Sequence, residues 1–167
     1  MAELTIGELA DRVEPDSARL GTIHARIQGW VREGLLRDWG GERTGTGHHR
    51  RFDERAVYVV AVLNVLADYD MTIGAMMRAP LDTGQYNRRI SGPILLGLLK
   101  EAIAKVDSEH PRHTWLVVTW KRAGELGSRQ RIPLIALYLD FAPPRDRPQS
   151  TPIAELKINL TMLWGQL

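Results

Sequence analysis

The sequence predicts an α+β chain in two parts: a helical region over residues 1–80, then one helix with a small antiparallel sheet over residues 81–167. Three observations predict it. Up to position 77, apolar residues recur at three- and four-residue spacing, as in helices that turn one face to a core. Past position 113 they fall in runs rich in Val, Thr and Trp or alternate with polar residues, as in half-buried strands. Between the two, Ala79-Pro80-Leu81-Asp82-Thr83-Gly84 has the composition of a linker, which sets the domain boundary.

The N-terminal elements follow in order. Thr5-Ile6-Gly7-Glu8 is a capping box, in which hydroxyl and carboxylate satisfy each other's orphan backbone donors. It predicts a helix over Ile6–Val13 that ends before Pro15, whose ring disfavours helical geometry at the preceding residue. Leu20, Ile23, Ile27, Trp30 and Val31 form a second apolar stripe, with Arg19, Arg26 and Arg32 off it; Gly34 is its C-cap and Leu35-Leu36 return to the core. Residues 37–49 read as a glycine-rich hairpin from which no core contribution is expected. Asp53 reads as the cap of a third helix, apolar on much of its circumference and therefore central, and Thr72 as the cap of a short helix over residues 73–77.

In the C-terminal part, Ser91-Gly92-Pro93 opens a helix with a wide apolar face from Ile94 onward. That stripe is either a core face or a dimer interface. Residues 114–121 and 132–141 read as a strand hairpin, and residues 154–164, where Ala154, Leu156, Ile158, Leu160, Met162 and Trp164 alternate with polar residues, as a third strand. The resulting sheet has two open uses, a small-ligand site or an edge or Trp115 and Trp120 face offered to a protein such as RNA polymerase.

Composition narrows the function. With 167 residues, 44% of them apolar, the chain can bury a core without metal or disulfide staples. No apolar run approaches the roughly 18 residues that span a bilayer, and Met1-Ala2-Glu3 lacks the positive flank of a signal peptide, so a cytoplasmic chain with no membrane partner is expected. The absence of cysteine excludes disulfides, thiolate metal sites and a cysteine nucleophile. Residues 1–80 hold 10 basic and 12 acidic residues, but between positions 19 and 55 the count is 8 against 5, so positive charge is local. There is no phosphate-binding glycine loop leading to lysine and no serine elbow, and His110-Pro111-Arg112-His113 lacks a carboxylate partner at recognisable spacing. No enzyme activity, cofactor or metal is expected.

Helix, break, helix, glycine hairpin, helix is the order of a winged helix-turn-helix. The residues also resemble the MerR family over about positions 4–77: Thr5-Ile6-Gly7-Glu8-Leu9-Ala10 is similar to its opening helix, residues 21–36 to its recognition helix, and Thr44-Gly45-Thr46-Gly47-His48-His49-Arg50-Arg51-Phe52-Asp53 to the wing of its Gly-His-Arg-Arg-aromatic branch. The chain departs from that family in a longer segment over residues 14–20, which allows helix 2 to start near Ser17, and in lacking the family's long coiled-coil helix.

The resemblance implies double-stranded DNA as partner. A helix fits the major groove, so Thr22, His24, Arg26 and Gln28 are expected to read or position bases, while Arg43, His49, Arg50 and Arg51 neutralise phosphates. Trp30 either donates its indole N–H to a phosphate or packs in the core. The function so implied is a sequence-specific transcriptional regulator, as a homodimer if the C-terminal part pairs. The alternatives are a phage-type excisionase or DNA-packaging recognition subunit, and a protein-interaction or effector-binding module that does not touch DNA.

Overall fold

The computed structural model describes residues 3–15, 18–40, 50–78, 94–106, 114–122, 131–139 and 154–167. Helices and two small antiparallel sheets make an α+β chain. It forms two compact units, Met1–Ile73 with Gln166–Leu167, and Gly74–Gly165. The division falls ahead of the linker read at residues 79–84, which lies outside the described residues, as does Ser91-Gly92-Pro93. Among the described residues no helix is long and apolar enough to cross a membrane.

In the first unit, strand β1 (Glu3–Leu4) leads into helix α1 (Ile6–Val13). The capping box is present: the Glu8 backbone N–H donates to Thr5 Oγ1 at 3.3 Å, and the Thr5 N–H donates to Glu8 Oε2 at 2.6 Å. Helix α2 (Leu20–Arg32) starts at Leu20, and Ser17 lies outside the described residues. It ends in a Schellman motif in which Leu35 N–H donates to the Trp30 carbonyl at 2.9 Å and Gly34 N–H to that of Val31 at 3.2 Å. Gly34 supplies the positive φ, +79°, that this turn requires. Leu35 and Leu36 then bury fully.

Residues 37–39 are not hairpin, and residues 41–49 lie outside the described residues. Residues Arg37–Trp39 form a single 3₁₀ turn, and Trp39, from which no core contribution was expected, is buried because that turn continues the inward course of Leu35-Leu36. Gly40 bridges to Phe52 across the loop, and Phe52 pairs on its other side with Leu4, since strand β2 (Phe52–Asp53) lies antiparallel to β1. A side chain at position 40 would sit 2.6 Å from the Arg51 carbonyl oxygen, so the bridge needs glycine.

Helix α3 (Ala56–Asp68) is buried on nearly every side, the central element expected. Asp53 is not its N-cap. Held in β2 opposite Glu3, it accepts a hydrogen bond from Arg55 N–H at 2.8 Å instead, and the helix starts one residue after Arg55. Helix α1 packs against both α2 and α3. Helix α4 (Ile73–Arg78) follows Thr72.

The second unit contains helix α5 (Ile94–Val106) and a sheet of β3 (Thr114–Arg122), β4 (Arg131–Leu139) and β5 (Ala154–Asn159), ordered β4-β3-β5 and antiparallel throughout. Helix α5 lies against β4, and Leu95, Leu98, Leu99 and Ala102 on it are fully buried, so this apolar stripe is a core face. The last run is only half strand. Asn159 Oδ1 accepts from Met162 N–H at 3.1 Å and starts helix α6 (Leu160–Trp164). Leu160 and Trp164, four apart, bury together, whereas Met162, which continued alternation would have placed beside them, is 64% exposed.

The cap at Thr5 yields a direct expectation. Thr5→Ala removes a side-chain acceptor at the start of α1 and should lower unfolding free energy by about 1 kcal/mol in urea denaturation. The Thr5 backbone N–H and hydroxyl, with smaller help from the charges of Arg51 and Arg12, hold the Glu8 carboxyl below its ordinary value of 4.5. A depressed carboxyl stabilises the fold fully above its ordinary value and loses that contribution as pH falls below it, so the penalty of Thr5→Ala should shrink in acid.

Candidate nucleic-acid interface

One face of α2 is committed to the core. Ile23, Ile27 and Trp30, at 0%, 0% and 2% exposure, pack inward and fix the rotation of the helix. Of the two positions open to Trp30, the structure takes the core. The opposite face is left to solvent: Gly21, Ala25, Gln28 and Arg32, spaced as a single helical stripe, are exposed, with Thr22 beside them. Thr22 and Gln28, two of the expected base-reading residues, therefore share an open surface, while His24 is half-buried on its flank.

Arg26 goes elsewhere. Its Nη1 donates to Asn64 Oδ1 at 2.6 Å and to Asp68 Oδ1 at 2.8 Å, both on α3. Asp68 also takes a hydrogen bond from Arg19, which lies 3.8 Å from Glu14. Arg26, expected to read bases, thus joins α2 to α3, because its position on the helix puts it within reach of a buried amide and a carboxylate around forty positions further along the chain. Burial raises the Asp68 carboxyl, but hydrogen bonds from Arg26 and Arg19, together with their charges, outweigh it and hold the group below its ordinary value of 3.8. Asn64 is 7% exposed, and the Arg26 bond satisfies its carbonyl oxygen.

Every Lys or Arg among the first 80 residues is arginine, and six of the described ones divide by partner. Arg12, bound to Glu54 at 2.6 Å, and Arg19 and Arg26 are clips between elements. Arg32, Arg37 and Arg50 have no ion-pair partner among the described residues and converge where α2 ends and β2 begins. They line an open cavity of about 390 Å³ together with Val31, Gly34, Leu36, Gly40 and Phe52. Arg32 and Arg50 also line a second cavity of about 380 Å³, with Ile6, Gln28 and Val31. No described Asp or Glu borders either cavity. One basic groove thus runs from the open face of α2 past Arg50 to Arg37.

Arg50 stands in this groove and Arg51 is exposed within electrostatic reach of Glu8. Arg43 and His49, with His48, lie outside the described residues. Sequence reasoning missed Arg32 and Arg37. Their signal was available: both flank the Gly34 cap, where the chain turns and successive arginines can meet on one side.

The Arg26 bonds are testable. Arg26→Ala should cost about 1–3 kcal/mol in urea denaturation, since a buried amide oxygen loses its donor. The contribution of Asp68 is present above its ordinary value and fades as pH falls below 3.8, so Asp68→Asn should cost stability at neutral pH and little at acid pH.

Comparisons with protein-family models, with curated proteins and with solved structures return no match to this chain, so its functional reading rests on these residues and their geometry.

Proposed function

We propose that residues 3–68 form a winged helix-turn-helix that binds double-stranded DNA, and that the chain is a DNA-binding transcriptional regulator of the cytoplasm rather than an enzyme. In this reading the open stripe of α2 enters the major groove, Thr22 and Gln28 reach base edges, and Arg50 and Arg51 contact phosphates beside it.

One observation carries the reading: Gln28 and Arg32 of the open helix face line the same cavity as Arg50 from the other arm of the loop. A duplex lying along α2 meets both. The helix has suitable dimensions, since 13 residues extend about 20 Å and a helix fits a groove about 12 Å wide. Gly21 and Ala25 keep the outer face low, and a side chain at position 21 would meet nothing within 4 Å inside the chain, so the fold itself does not require glycine there. Among the described residues no side chain caps the N-terminus of α2, and its first turn holds no acidic residue, which suits a helix end brought near phosphates.

Titrating a labelled duplex with the full chain at several salt concentrations tests this. Log affinity should fall linearly with log salt by about 0.9 per phosphate neutralised. Arg50→Ala combined with Arg51→Ala should weaken binding on preferred and random sequences alike and flatten that slope by at least about 1. Gln28→Ala should instead narrow the gap between preferred and random duplexes. An affinity indifferent to salt, or no binding in dilute buffer, would remove DNA as the partner.

A further inference from the structure

We propose that the cavity lined by Arg32, Arg37 and Arg50 is a phosphate pocket that takes one phosphodiester group of a duplex backbone. The choice of duplex as the source rests on the function proposed above; the pocket itself rests on its own geometry. The three arginines that line it come from three separate segments: the last residue of α2, the 3₁₀ turn and the residue two before β2.

Each segment is held independently. The Schellman turn at Gly34 brings the chain back to Arg37, and the Gly40–Phe52 bridge fixes the start of the strand that Arg50 leads into. The backbone thus places three arginines around one cavity. No described carboxylate lines the cavity, whereas Arg12, Arg19 and Arg26 of the same unit each hold one. A cavity lined by three arginines favours an anion. Val31, Leu36 and Phe52 supply an apolar floor, and about 390 Å³ leaves room for a phosphate with its flanking sugar atoms. Arginine forks match the non-bridging oxygens of a phosphodiester bidentately.

Two measurements on the full chain test the pocket. In a titration with inorganic phosphate followed by arginine side-chain NMR, the Nε–H signals of Arg32, Arg37 and Arg50 should shift together and saturate. Arg37→Ala should abolish the shifts of the other two. A small uniform drift of all exposed arginines would overturn the pocket. In duplex titration, Arg37→Ala should weaken binding on the order of tenfold on any sequence, with an unchanged thermal midpoint and partial recovery in Arg37→Lys.

The two ideas fail separately. Duplex affinity lost in Arg50→Ala with Arg51→Ala but kept in Arg37→Ala would end the pocket and leave DNA binding standing. A wild-type chain that ignores duplexes while phosphate still moves the three arginines would end the DNA reading and overturn the duplex as the source.

Discussion

The rotation of α2 about its own axis decides which of its side chains face outward, and the burial of Ile23, Ile27 and Trp30 sets it. Each such side chain is worth about 1.5–3 kcal/mol when fully buried, whereas an exposed ion pair contributes about 0–1. The apolar stripe therefore chooses which face turns inward, and the bonds from Arg26 and Arg19 to α3 add to its hold. What remains outside follows by elimination: small residues at 21 and 25, then Gln28 and Arg32. Phe52, buried between Leu4 and Gly40, brings the far arm of the loop to the same side.

That geometry gives the arginines two different roles despite the near-neutral balance of residues 1–80. Arg12, Arg19 and Arg26 reach acids across helix boundaries and hold the helices in place. Arg32, Arg37 and Arg50 line a cavity that no described acid borders. A net charge summed over the region merges the two groups and conceals the local field. It is the field at the groove that a polyanion would meet.

Local signals were the ones legible in the residues alone. The capping box at Thr5, the Gly34 cap, the all-round apolar α3 and the α5 stripe depend on neighbours within a turn or two, and each stands where its pattern put it. Misjudged residues were those governed by distant partners. Arg26 looked free on its own helix because Asn64 and Asp68 lie far along the chain. Asp53 looked like a cap because its pairing with Glu3 was invisible. Residues 154–164 kept a strand-like alternation past the point where the Asn159 side chain starts a helix. Arg43, His48 and His49, which give the family resemblance much of its sharpness, lie outside the described residues, so the candidate site is built from the two arms that flank them.

The most direct measurement is backbone amide mapping of the full chain against a short mixed-sequence duplex at low salt. If the open face of α2 and the arm carrying Arg50 form one binding surface, amides at Gly21, Thr22, Ala25, Gln28, Arg32 and Arg50 should move together, while those of Asn64 and Asp68 on the opposite side of α2 stay in place. Shifts confined to α3 or to the second unit, or no shifts at any duplex concentration, would contradict it.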